Sequence, residues 1–201
     1  MRLMSKIYSQ ARQVIGWLGE STPSTSLALK AFHALGLCFI EKGESSRRFR
    51  KAIHKLIDTG HFNKLEDIAD PNSPIWKAAA SIAQLNWFRR LWIVQEVVLA
   101  TDLQLRCGKD AIAGEIFFAG VEAFSTMVTS PPNPWLLEPY RNALKLGQFR
   151  KYAASRNSYS YPWWAQVLSG WDCEKSQDRL NALYGIAFCD DKTSDAWFKP
   201  R

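Results

Sequence analysis

Residues 87–100 read WFRRLWIVQEVVLA, and this stretch decides how the rest of the chain is arranged. From Leu91 onward nearly every position is apolar, so a helix built from it has no polar face to turn toward water. A helix that is apolar nearly all round is typical of the interior of a protein. We therefore predict one buried helix over Trp87–Ala100, with neighbours on every side.

Glu96 is the acidic residue of this stretch, and no basic residue lies at helical spacing from it. Its neighbours three and four residues away are all apolar: Trp92, Ile93, Leu99 and Ala100. A carboxylate buried there must find a tertiary partner, accept backbone hydrogen bonds or have a raised pKa. Two interpretations stay open. Either Glu96 faces a cleft as a functional group, or Gln95 and Glu96 form a buried pair that is hydrogen-bonded to a neighbouring loop.

The chain before this stretch shows the patterns of helices and one short strand. Apolar spacing predicts a helix from Met4 and then a buried strand at Val14–Leu18. Further helices are predicted from their capping residues: Ser24 or Thr25 for a helix to about Glu41, Ser45 or Ser46 for one to Gly60, and Ser73 for one to about Leu85.

The chain after this stretch begins with two strands and continues with helices. Strands are predicted at Leu103–Arg106 and Ala111–Ala113, and a helix from about Gly114 to Val128. Further helices are plausible near 135–155, 162–169 and 178–188. Two or three short strands cannot organise 201 residues around a sheet. The predicted fold class is therefore α+β and mainly helical, unless a sheet-forming part is absent from this chain.

A run of prolines and polar residues at 130–134 divides the chain into two subregions. It reads SPPNP, which is typical of a connection rather than of a helix or strand. We predict a helical core with short strands over residues 1–130 and a helical C-terminal subregion over 131–201.

Composition and motifs exclude several classes of protein. Lys and Arg number 26 against 19 Asp and Glu, for a net charge of +7, and 47% of the residues are hydrophobic, as in a globular domain. The four cysteines have neither CxxC spacing nor histidines at ligand spacing, which favours free thiols in the cytosol over a metal site. Phosphate-binding and dinucleotide motifs are missing as well. We expect no metal, no resident cofactor, no DNA or RNA partner and no membrane span.

Three blocks of the sequence, taken together, resemble the fungal heterokaryon incompatibility (HET) domain. Residues 4–19, MSKIYSQARQVIGWLG, are similar to the family's "M..IY..A..V..WLG" block. Residues 87–100 are similar to "W..R.W..QE..LA", and residues 178–187, DRLNALYGIA, to "RDK.YALLGIA". The second block is the most specific of the three. The third departs from the pattern at Gln177 and Asn181, where Arg and an aromatic residue are usual.

The resemblance carries expectations about fold and function. In the family a strand-rich segment with a "W.DA.CINQ" block precedes the first block, so this chain is expected to be a HET domain whose N-terminal sheet portion is missing. HET domains are held to be distantly similar to TIR domains, some of which cleave NAD with a helix-borne glutamate. The resemblance implies a cytoplasmic module of fungal non-self recognition and programmed cell death, which associates with itself or a protein partner. By the TIR analogy Glu96 is the candidate catalytic residue and NAD a candidate substrate, although this chain alone is expected to have little or no activity. The alternative is a non-catalytic helical interaction module or a degenerate gene fragment.

Other residues are candidates for binding or support around Glu96. Arg89 and Arg90 are expected either to meet an anionic ligand or to pair with an acidic residue such as Asp178. Trp17 and Trp92 either stack on a nucleotide base or belong to the core. The remaining candidates are Tyr8, expected in the core with its hydroxyl hydrogen-bonded, and Gln95.

Overall fold

A computed structural model describes residues 2–42, 70, 72–128, 137–154, 165–166 and 168–187. Within these ranges the α-helices are α1 (Arg2–Gln10), α2 (Pro23–Lys42), α3 (Pro74–Ala83), α4 (Ile93–Leu99), α5 (Gly114–Val128), α6 (Arg141–Ala154) and α7 (Ser176–Ala187). The strands are β1 (Val14–Gly19), β2 (Leu103–Cys107) and β3 (Asp110–Ala113), and short 3-10 helices cover Asn86–Arg89 and Glu138–Tyr140. The mainly helical α+β prediction is confirmed.

Local capping determines where two of the helices begin. The hydroxyl oxygen of Ser73 accepts a hydrogen bond from the Trp76 amide, as predicted, and Pro74 follows it at the first helical position. Helix α2 is instead capped by Thr22, whose hydroxyl accepts from the Thr25 amide, while the Thr22 amide donates to the Thr25 hydroxyl. The prediction of Ser24 or Thr25 as the cap was therefore wrong by two or three residues.

The three strands form one small mixed sheet in the order β1-β2-β3. Strand β1 pairs in parallel with β2, Val14 beside Leu103, and β2 pairs antiparallel with β3 through the tight turn at Gly108. Alternate residues of β1 point inward, and Ile15 and Trp17 point outward. The sheet is therefore buried on one face, against the helices, and exposed at β1 on the other.

Helices α2 and α5 form the centre of the helical core, where two glycines permit a very close approach. A Cβ atom added to Gly36 would lie 2.0 Å from the carbonyl oxygen of Ile116, and one added to Gly120 would lie 2.2 Å from that of Phe32. Helix α2 is also long and apolar enough to cross a membrane by length and composition alone, but half of that apolar window is buried inside the protein. One such helix is weak evidence for a span, and here its apolar side packs on α3 and α5.

The stretch 87–100 is buried as predicted, but it is not one continuous helix. The 3-10 helix ends at Arg89, Arg90 is extended, and α4 begins only at Ile93. The extended backbone pairs with Asp172, whose amide donates to the Arg89 carbonyl at 2.8 Å and whose carbonyl accepts from the Leu91 amide at 3.0 Å. This break leaves both arginine side chains exposed. A continuous helix in this position would carry two cations toward the core, which is costly without partners.

The apolar side chains of this stretch find their neighbours within the described chain. Helix α4 packs against α1, α6 and α7, and its residues Ile93, Val94 and Val97 are completely buried. Within the described residues, this stretch therefore presents no large exposed apolar surface. The predicted helix over 45–60, the run at 130–134 and half of the predicted helix at 162–169 lie outside the described residues, so the division into two subregions stays a prediction.

Candidate functional site

Glu96 lies where three helices meet, and its partner comes from the beginning of the chain. The Tyr8 hydroxyl of α1 donates a hydrogen bond to Glu96 Oε1 at 3.2 Å. Both side chains are half-buried. The second carboxylate oxygen, Oε2, has no hydrogen-bond donor among the residues that the structure describes. The site thus presents a carboxylate with one oxygen held and the other free to accept a hydrogen bond.

The environment changes the proton affinities of both groups. Burial raises the pKa of Glu96 above its ordinary value, and the Tyr8 hydrogen bond and the charge of Arg90 offset this only in part. Burial, followed by the charge and the hydrogen bond of Glu96, raises the pKa of Tyr8 to about 12. Tyr8 therefore remains a hydrogen-bond donor throughout the physiological pH range.

The two arginines before α4 have separate roles. Arg89 Nε forms an ion pair with Asp172 Oδ2 at 3.2 Å, and both side chains are well exposed. Arg89 thus pairs with an acidic residue as predicted, but that residue is Asp172 and not Asp178, which lies in the first turn of α7. Arg90 is exposed, and its charge acts on both Tyr8 and Glu96. The sequence predicted an acidic partner but gave no signal for Asp172, because that pairing depends on the backbone bridge at Arg90.

Gln95 points away from Glu96 and fixes α4 against α7. Its side-chain amide donates to the carbonyl oxygens of Ala182 at 2.9 Å and Asn181 at 3.4 Å, and only 1% of the residue is exposed. Gln95 and Glu96 therefore do not act as one buried pair, as was proposed from the sequence. Gln95 is hydrogen-bonded to α7, whereas Glu96 is hydrogen-bonded to α1. Neither residue is hydrogen-bonded to a loop.

The tryptophans near the site differ in how deeply they are buried. Trp87 is buried against Gly16 of β1, as expected for a core residue, and Trp92 is half-buried at the edge of the core. Trp17 is 51% exposed, so it is not a core residue as the apolar spacing suggested. It follows the alternation of a strand, whose outward positions face away from the helices.

The described residues contain no group of three or more His, Cys, Asp or Glu that could hold a metal ion. Cys107 and Cys173 are free thiols, and Cys38 and Cys107 are buried. Candidate chemistry in this part of the chain therefore centres on Tyr8, Arg90 and Glu96.

Comparison with known proteins finds similarity to one family. Residues 1–96 match the model of the family described as heterokaryon incompatibility protein (HET). The Neurospora crassa protein named heterokaryon incompatibility protein 6, OR allele, is 27% identical over 135 residues, which cover 59% of this chain and 19% of that protein. The similarity to the HET family that the sequence blocks predicted is confirmed for residues 1–96. It spans about a fifth of the curated relative that it matches, and no solved structure matches it.

The matched region contains both partners of the candidate site. It begins before Tyr8 and ends at Glu96, so it includes the first block of the resemblance and most of the second. The third block, on α7, lies outside it and contacts the site through Gln95.

Proposed function

We propose that this chain is a cytoplasmic module of fungal heterokaryon incompatibility, a non-self recognition response that ends in cell death. The observation that carries the proposal is the family match over residues 1–96, and the Neurospora crassa relative bears the same role in its name. In this role the chain acts by association, with further copies of itself or with a protein partner.

A finer proposal concerns the chemistry of the intact domain. By analogy with TIR domains, to which HET domains are held to be distantly similar, the intact domain would cleave NAD. Water would replace nicotinamide on the ribose, and the electron pair of the broken C–N bond would leave with nicotinamide through an oxocarbenium-like state. Glu96 would hold a ribose hydroxyl by accepting its hydrogen bond. The free Oε2 atom supports this role, and exposed Arg90 beside it is suited to the NAD pyrophosphate.

The second candidate is a module that binds a partner without catalysis. The observation that favours it is the outward face of β1, where Ile15 is 50% exposed and Trp17 is 51% exposed. Exposed aromatic and aliphatic side chains next to each other are typical of protein-binding surfaces.

One set of variants separates the two candidates. We would express the longest version that the gene encodes in a filamentous fungus, measure growth arrest, and measure nicotinamide release from NAD with the purified protein. The key variant is Glu96→Gln, which keeps the size and the hydrogen bond from Tyr8 but removes the charge. Glu174→Gln is the matched control, because Glu174 is exposed and forms no ion pair with the residues that the structure describes.

If Glu96 acts on NAD, Glu96→Gln lowers nicotinamide release by about a hundredfold, a typical cost of removing one transition-state contact, and growth arrest is lost with it. Glu174→Gln retains both activities. Growth arrest without nicotinamide release, unchanged in Glu96→Gln, would reject catalysis and leave the association module. Absence of growth arrest in every compatible and incompatible strain pairing would reject the incompatibility role itself.

A further inference from the structure

Strand β1 lies at the edge of the sheet, with β2 on one side and no strand on the other within the described ranges. Its outward face carries Ile15, 50% exposed, and Trp17, 51% exposed. An edge strand with exposed apolar side chains is a ready template for pairing with another strand. The open edge and the apolar face are adjacent, so one occupant can use both.

The backbone of β1 shows which groups are available for such pairing. The Val14 amide donates to the carbonyl of Asp102, so Val14 points its backbone groups toward β2. Backbone groups of successive strand residues point to opposite edges. The amide and carbonyl groups of Ile15 and Trp17 therefore point to the open edge, where they can pair without disturbing the contact with β2.

The residues around Gly16 are suited to pairing with the same residues of a second copy that runs in the opposite direction. An antiparallel partner centred on Gly16 places Ile15 opposite Trp17 of the partner subunit, with both side chains on the outward face. Ile15 and Trp17 are the two residues whose backbone groups face the open edge, so each of these contacts is a hydrogen-bonded pair. An aromatic side chain opposite a β-branched one is a favourable cross-strand pair.

The charges that flank β1 have the same symmetry. Arg12 and Glu20 are equally distant from Gly16 in sequence, both are exposed, and neither forms an ion pair in the part of the chain that the structure describes. Antiparallel pairing about Gly16 places the start of β1, which follows Arg12, beside the end of the partner's β1, which precedes Glu20, and the twofold axis repeats this arrangement. Opposite charges thus lie at both ends of the paired strands.

We propose that two copies of this chain associate by antiparallel pairing of their β1 strands about a twofold axis at Gly16. The pairing joins the two sheets into one continuous sheet and covers Ile15 and Trp17. A twofold interface requires a surface that complements itself, and both the apolar pair and the charges of β1 meet that requirement. The inference rests on the self-association in the proposed function, and its test uses the purified chain without an incompatibility assay.

The test measures the mass of the purified 201-residue chain in solution by light scattering and sedimentation across a range of concentrations. We expect a particle of twice the 22.9 kDa chain mass. Arg12→Glu and Glu20→Arg each place like charges together at both ends of the strands, and each is expected to weaken the dimer about tenfold. An equimolar mixture of the two single variants restores opposite charges in a mixed dimer, and so does the double variant.

Trp17→Lys tests the apolar contact, with Leu180→Lys as the matched control. Leu180 is 59% exposed and lies on α7, away from the sheet. Trp17→Lys is expected to give a monomer with an unchanged circular dichroism spectrum, whereas Leu180→Lys remains dimeric. The proposal would be overturned if the unmodified chain is a monomer at every concentration. It would also be overturned if the chain forms an oligomer whose stability is the same in the single and the double charge variants. The proposal is also overturned if the 201-residue chain is dimeric but the longest version that the gene encodes is monomeric. In that case the open edge of β1 pairs with a strand of the longer protein itself. Loss of growth arrest in a dimeric protein would instead count against the incompatibility role alone.

Discussion

Glu96 shows how the surroundings of one side chain determine its chemistry. Its helical neighbours are apolar, and the Tyr8 hydroxyl and the nearby charge of Arg90 compensate only in part for the loss of water. The folded protein therefore holds the Glu96 proton more tightly than the unfolded chain does. Stability must then fall as the pH rises from the ordinary pKa of a glutamate through the raised pKa of the folded state.

Glu96→Gln is expected to stabilise the chain at neutral pH, because the neutral amide avoids the cost of a half-buried charge and still accepts the Tyr8 hydrogen bond. A gain of about 1 kcal/mol would raise the melting temperature by ~2–4 °C. The gain should disappear in acid, where Glu96 itself is protonated. Thermal melts of both proteins from acid to neutral pH check this, with Glu174→Gln as the exposed control. A variant that is less stable than the parent at neutral pH would contradict it.

At the scale of elements, the packing of α2 on α5 depends on residues that have no side chain. The backbones approach so closely at Gly36 and Gly120 that a methyl group at either position would meet a carbonyl oxygen of the other helix. Capping residues predicted α2 and apolar spacing predicted α5, since both signals depend only on residues within one segment. Neither signal indicated which faces meet, because that contact joins residues far apart in the chain.

Gly36→Ala is expected to destabilise the chain by about 1–3 kcal/mol, the usual cost of overpacking, although alanine is the better helix former. Chemical denaturation measures the difference. His33→Ala, an exposed position on the same helix, is the control and should change stability by less than about 0.5 kcal/mol. A neutral or stabilising Gly36→Ala would show that α2 and α5 do not approach as closely as described.

At the scale of the whole molecule, Arg150 joins three helices around the end of α4. From α6, its Nη1 atom donates to the carbonyl oxygens of Val97 at 2.6 Å and Ala100 at 2.7 Å, and its guanidinium pairs with Glu115 of α5. The arginine thus satisfies carbonyl groups that the C-terminus of a helix leaves without partners. Its side chain is only 13% exposed.

Arg150→Ala is expected to cost about 1–3 kcal/mol, because it leaves buried carbonyl groups of α4 without donors. Lys151→Ala is the adjacent control. Its ion pair with Glu122 is partly exposed, so its loss should cost less than about 1 kcal/mol. Denaturation curves of the two variants give the comparison, and equal losses would show that Arg150 is no more than a surface ion pair.

The elements that depend on local interactions could be predicted from the sequence. The bounds of α5, the cap at Ser73 and strand β1 follow from spacing and capping within a few residues, and the blocks at both ends of residues 1–96 indicated the HET family, whose model matches that region. Glu96 was identified as a candidate in the same way, from the lack of a local partner.

The contacts between distant residues could be found only from the tertiary structure. Tyr8 reaches Glu96 across 88 positions of the chain, and the break before α4 exists because Asp172 offers its backbone to Arg89 and Leu91. The exposure of Trp17 likewise depends on what the sheet leaves uncovered. Such contacts depend on how distant segments pack, and the order of residues within one segment does not predict that packing.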